Sequence, residues 1–153
     1  MREEASSTPE SSTLSTQKAG SKLSLADFFD PDGSWSENRF DVADRSGVSG
    51  IAAQVSGYGQ SQTLELRLQN NFNTVAFNVG QSNDSKSSDK MLVVRVVGNG
   101  KQLDVQKVPF NTIQPISVQT KMVNALKIEV SAEAPQGSDW KSLTAVISDV
   151  TVR

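Results

Sequence analysis

MLVVRVVGNGKQLDVQKV, residues 91–108, is the stretch that decides the fold. Two runs with apolar side chains at alternate positions flank Asn99-Gly100, the dipeptide best suited to the positive φ angles of a type I′ turn. The stretch therefore reads as a β-hairpin, and a two-residue turn sets its register. Gly98 faces Lys101, Val97 faces Gln102, Val96 faces Leu103, Arg95 faces Asp104 and Val94 faces Val105. In that register Leu92, Val94, Val96, Leu103 and Val105 share one face, and Arg95 meets Asp104 on the other as a cross-strand pair of opposite charge. A slip of one residue would scramble both faces, so the pairing is well specified.

Outward from the hairpin the same alternation recurs. Upstream, Leu64, Leu66 and Leu68 share one phase, as do Val75, Phe77 and Val79, and Ile51 to Val55 forms a further run among glycines. Downstream come Ile116, Val118 and Thr120, then Leu126, Ile128 and Val130, then a β-branched run from Thr144 with Val146, Val150 and Val152 in one phase. Gly, Asn, Pro and Ser turns separate these runs, and there is no convincing amphipathic helix. Short alternating strands with one solvated face each indicate an all-β antiparallel sandwich.

The chain has 153 residues, enough for one domain with a real core. Residues 1–22 hold one leucine and no aromatic and read as a disordered linker, either a stalk or the mere margin of the domain. The folded module is expected over 23–153, opening with a weak capping box at Ser24 to Asp27. No run of about 18 apolar residues is present, so no membrane span is expected in this segment, and the N-terminus shows no apolar leader.

Composition narrows the chemistry further. Fifteen basic and 17 acidic residues give a formal charge of -2 with no basic block, which argues against a nucleic-acid partner. Cysteine and histidine are both absent, so disulfides, Cys/His zinc sites and a histidine general base are excluded. The loop 80–90 carries Asn83, Asp84 and Asp89, but their spacing fits no EF-hand, and a structural calcium is not supported. Nothing pairs a nucleophile with a base. Gly98-Asn99-Gly100 is a turn between strands rather than a phosphate loop, so no cofactor and no enzyme is expected.

Taken in order, several of these strands resemble the NPCBM family of carbohydrate-binding modules, which have a galactose-binding-like jelly roll. Residues 75–80 (VAFNVG) are similar to the family's strand ending in Val-Gly before an acidic loop. Residues 94–103 (VRVVGNGKQL) resemble its valine-rich hairpin, with Asn99 where an Asp is usual. Residues 116–118 and 125–130 are similar to the next two strands, and Asp139-Trp140 to the pair before the last one. The likeness covers about residues 23–153 and is looser toward the N-terminus. The chain departs from the family at Gly50-Ile51-Ala52-Ala53-Gln54, where a Gly-Leu-Gly-x-His segment with a sugar-site histidine is common.

The resemblance implies a non-catalytic, extracellular or cell-envelope module of a larger secreted or membrane-anchored bacterial protein, monomeric, binding glycan or cell-wall polymer. The alternative is a sensory or scaffolding ectodomain that binds a protein and has lost its sugar site, which the missing histidine and few aromatics favour. A sugar site needs an aromatic platform and polar side chains for the hydroxyls. Trp35, Tyr58, Phe72 and Trp140 are the aromatics near loops, and Arg45, Asn78, Asp84 and Asp139 the polar candidates. The resemblance further implies a site among loops at one end and not on a sheet face, with 30–45, 80–90 and 133–140 the candidates. Trp35 and Phe40 each read as either a core plug, the commoner role at the start of a sandwich, or a surface contact. As a platform Trp35 is the most available, because Ser34, Ser36, Glu37 and Asn38 around it are polar.

Overall fold

The computed structural model describes residues 13–31, 33–55, 61–84, 90–133 and 142–153. Among these residues nine strands form two sheets: β1 (Ser36–Val42), β2 (Arg45–Val55), β3 (Ser61–Arg67), β4 (Thr74–Gln81), β5 (Met91–Gly98), β6 (Lys101–Val108), β7 (Ile113–Gln119), β8 (Ala125–Glu133) and β9 (Leu143–Val152). One sheet has the order β1-β2-β9-β4-β7 and the other β3-β8-β5-β6, with every pair antiparallel. Their inner faces enclose one core. Ile51, Phe77, Ile116 and Ile147 come from the first sheet and Leu64, Leu92, Val96 and Ile128 from the second. This is the expected antiparallel sandwich. β1 was not visible in the sequence, because all but its last residues are exposed and it carries no apolar alternation.

The β5–β6 hairpin forms around Asn99 (φ 50) and Gly100 (φ 82), both in the left-handed region a type I′ turn requires. Its register holds for Gly98–Lys101 and Val97–Gln102 and then shifts by one residue, so that Val96 pairs with Asp104 and Arg95 with Val105. Leu103 is the extra residue of a β-bulge. It still lies over Gly98, but Val105 passes to the solvent side and is 42% exposed. The expected Arg95–Asp104 pair is therefore not made. Arg95 faces Glu129 of β8, with 3.8 Å between the charged groups, and Asp104 accepts from the Gln106 amide instead.

A second bulge, at Asp149 (φ 53), changes the phase of β9. Val146 packs in a small cluster on the outer face of its sheet, whereas Val150 and Val152 point into the core. The single phase read from the sequence is corrected accordingly. The margins of the polar loop 80–90 are also interior. Gln81 is fully buried, and its amide nitrogen donates to the carbonyls of Lys90 (3.0 Å) and Val108 (3.1 Å), tying one sheet to the other.

The N-terminal boundary moves as well. Residues 1–12 lie outside the described residues; of 13–22, expected as linker, Leu14 is buried and 15–22 are exposed, and the stretch is tied to the sandwich by backbone bonds. Leu14 is 5% exposed and belongs to the core cluster. Beyond Ser148, where its register with β2 ends, β9 is flanked by residues 20–23: Gly20 donates to the Val152 carbonyl and Leu23 to that of Val150, each at 2.8 Å. The Ser24–Asp27 segment makes one 3-10 turn, with the Asp27 carboxylate accepting from the Ser24 amide at 2.8 Å.

Candidate functional site

The site lies on the outer face of the five-stranded sheet, and a fold-back of β1 creates it. Ser36, Ala52, Val146 and Gly80 sit side by side across β1, β2, β9 and β4. Beyond Phe40 the register of β1 shifts, and its end turns back to bridge the start of the β4–β5 connection. Val42 pairs with Ser82, the Asn83 amide donates to the Asp41 carbonyl at 2.8 Å, and the Asn83 side chain donates to the Ala43 carbonyl at 3.2 Å. Val42 then comes down on Gly80, where an added Cβ would lie 2.5 Å from its Cγ1, so this close approach requires glycine. Val42, Ala52 and Val146 are buried there, with Phe40 and Ile113 packed against them.

Beside this small outer core the sheet is hollowed into a depression of about 640 Å³. Phe40 supplies a half-buried aromatic wall and Ala52 an apolar floor. Polar groups ring the rest: Ser34 and Ser36 on the approach to β1, Gln54 at the end of β2, Ser82 and Asp84 after β4, and Ser142 and Thr144 at the start of β9. The Asp84 amide donates to the Ser82 hydroxyl at 3.2 Å, which shapes the turn that presents the Asp84 side chain. The arrangement offers one aromatic surface with hydroxyls, a carboxamide and a carboxylate around it, in the size range of small-molecule sites.

Of the residues singled out from the sequence, Asp84 lines this depression. Trp35 does not: it is 4% exposed, lies in the core cluster, and its indole N–H donates to the Thr63 carbonyl at 3.1 Å. Just ahead of β1, Ser34 and Ser36 line the depression while Trp35 between them turns into the core, so of its two readings the core plug holds and the surface platform is corrected. Phe72 is likewise core, at 2% exposure. Tyr58, Asp139 and Trp140 lie outside the described residues. The sequence signal that could have found Phe40 is its position in phase with Ser36 along β1.

Arg45 and Asn78 sit elsewhere, around Asp149. The Asn78 amide donates to Asp149 at 3.1 Å, and the Lys22 ammonium pairs with the other carboxylate oxygen at 2.9 Å. The hydrogen bond from Lys22 holds the Asp149 carboxyl below the usual carboxylate range against the opposing effect of burial, with help from the Lys22 charge, Asn78 and Arg45. A hollow of about 300 Å³ adjoins this cluster. Lys22 and Asp149 are paired with each other there, and the pair fastens residues 20–23 to β9.

No family model matches the chain, and no curated protein matches it. Solved structures do. The M60 catalytic domain with the CBM51-1 and CBM51-2 domains from Clostridium perfringens ZmpB aligns over 89% of this chain at 14% identity and a TM-score of 0.60, and the chain spans 15% of that protein's length. The CBM51 from Clostridium perfringens GH95, in complex with methyl-galactose, aligns over 76% of this chain and 79% of its own at 11% identity and TM-score 0.52. A carbohydrate-binding module specific for non-crystalline cellulose, CBM28, aligns over 92% of this chain and 94% of its own at 9% identity and TM-score 0.54. At these identities the likeness is one of fold, and the chain has the jelly-roll β-sandwich fold of carbohydrate-binding modules.

Proposed function

We propose that this domain is a non-catalytic glycan-binding module, acting outside the cell as part of a larger secreted or envelope-anchored protein, and that the depression beside Phe40 is its ligand site. The observation that carries the proposal is the composition of that hollow. A sugar presents one apolar face and a rim of hydroxyls, and Phe40 with Ser36, Gln54, Ser82 and Asp84 offers the matching surfaces. The depression lies on a sheet face and not among the loops at one end, where such a site was expected; residues 34–40, 82–84 and 142–144 bring it only to the borders of those loops. The solved modules of the same fold include one bound to methyl-galactose and one specific for cellulose, which weighs for glycan over the protein-partner reading.

A glycan array on the intact chain, followed by titration calorimetry on its hits, tests this. We expect weak binding that Asp84→Ala reduces without changing the melting temperature and that Phe40→Ala abolishes. The sequence has no histidine, so affinity should be flat between about pH 5 and 8. Absence of any glycan hit, or binding indifferent to both substitutions, would overturn the assignment.

A further inference from the structure

The outer edge of β3 bounds the four-stranded sheet, and an uncovered edge of this kind is a template for pairing with another chain. Here it is covered by an irregular segment rather than by a strand. Three of its outward carbonyls, on alternate residues, are met by different donors from residues 14–35. The Leu14 amide donates to the Arg67 carbonyl at 2.9 Å, the Phe29 amide to that of Glu65 at 2.8 Å, and the Trp35 indole to that of Thr63 at 3.1 Å. Leu14, Phe28 and Trp35 plug the core alongside, and the Arg67 guanidinium lies 3.6 Å over the Phe29 ring. The strap is thus attached at three separated points along the edge.

We infer that this strap is a guard, and that the partner it excludes is a second copy of this chain paired through β3. The sequence of β3 is what selects that partner. Thr63, Glu65 and Arg67 point their carbonyls to the edge, so in an antiparallel two-fold pair these odd-numbered residues form the hydrogen-bonded partners. The register that sets Leu66 opposite Leu66 of the second copy places Glu65 opposite Arg67 twice, once on each side of the axis. Opposite charges then meet across the strands, and Leu64 and Leu66 keep the inward phase they already have. In the intact chain Glu65 and Arg67 instead pair with each other along β3. The strand is self-complementary, and the strap holds the chain as a monomer.

The experiment compares the full chain with two strap variants by sedimentation velocity, with circular dichroism to verify folding. Leu14→Asp combined with Phe29→Pro removes two of the attachments, and Trp35→Phe removes the third donor while keeping most of the ring volume. The intact chain is expected to sediment as a monomer. The double variant should give a discrete species of twice the mass, and Trp35→Phe a smaller dimer fraction that is still above that of the intact chain. Adding Glu65→Lys to either variant should return it to monomer, and adding Arg67→Glu as well should restore the dimer, which random aggregation would not do. Folded variants that stay monomeric would overturn the inference, as would dimers insensitive to the charge reversal. If the double variant does not fold, Trp35→Phe decides alone: a dimer fraction no greater than that of the intact chain rejects the guard.

Discussion

The β5–β6 hairpin and the segment 13–35 enter the same core by opposite means. The hairpin commits alternate residues of both strands to pairing, and Leu92, Val94 and Val96 are each fully buried behind it. The N-terminal segment has no such pattern. It contributes isolated plugs, Leu14, Leu23, Phe28 and Trp35, separated by exposed polar residues and two short 3-10 turns. Both nevertheless close a sheet. Periodic patterning is needed where a strand hydrogen-bonds along its whole length. A strap needs only a donor and an apolar anchor every several residues, and that spacing has no period to read.

Core substitutions in the two regions should break both, the hairpin more completely. Val96→Asp would bury a carboxylate at a position with no solvent contact, directly opposite Asp104, so the chain is expected not to fold. Arg95→Ala, one residue away on the exposed face, removes only a long pair with Glu129 and should cost about 0–1 kcal/mol. Trp35→Ala leaves a large cavity and an unmet Thr63 carbonyl, for an expected loss of about 3–5 kcal/mol. Urea denaturation monitored by circular dichroism separates these outcomes. A Trp35→Ala chain as stable as the parent would mean that the strap adds nothing to the core.

The turn of the hairpin should prove sensitive for more than its backbone angles. Asn99 holds φ 50, and its side chain accepts from the amides of Asn124 and Ala125 and donates to the Met122 carbonyl. The turn is thereby pinned to the β7–β8 connection. Asn99→Ala loses both the left-handed preference and these bonds, for an expected cost of about 1–3 kcal/mol by denaturant unfolding. Gly100→Val puts a β-branched side chain at φ 82 and should destabilise at least as much. If Asn99→Asp, which keeps the acceptor, is no milder than alanine, the side-chain bonds are not what matters.

Most of the sandwich was legible because its strands alternate, and the failures have local causes. Two bulges, at Leu103 and Asp149, each change the phase of a strand without interrupting its run of apolar residues. Thus Val105 and Val146 fall on faces opposite to those expected. The strand β1 escaped because an exposed edge has no apolar phase to read. The candidate site was located more coarsely than the fold. Asp84, one of the polar candidates, lines the depression, but of the two aromatics left open between core and surface Trp35 is the core plug and Phe40 the half-buried wall. Polar neighbours on both sides of Trp35 could not decide between those roles, because a lone inward-facing aromatic has them as well. Ser142 and Thr144 had no sequence signal, as only the fold-back of β1 brings them near Phe40.

The smallest effect concerns the Lys22–Asp149 pair that attaches the N-terminal segment to β9, and its sign follows from Asp149. The Lys22 hydrogen bond lowers the carboxyl's folded pKa below its unfolded value, which is about 3.9. Folding then favours the ionised form, so the contribution is fully present above the unfolded value and is lost as pH falls through the folded one. The Asp149 side chain is 37% exposed and Lys22 75%, so solvent screens the pair and the effect should stay below about 1 kcal/mol. Asparagine tolerates the left-handed backbone at this position, which makes Asp149→Asn a conservative probe. The stability difference between parent and variant should be measurable at neutral pH in low salt and should shrink as pH drops below about 4 or as salt is raised. A difference that persists unchanged at low pH would show that residues 20–23 are held by their backbone bonds to Val150 and Val152, with the ion pair contributing nothing.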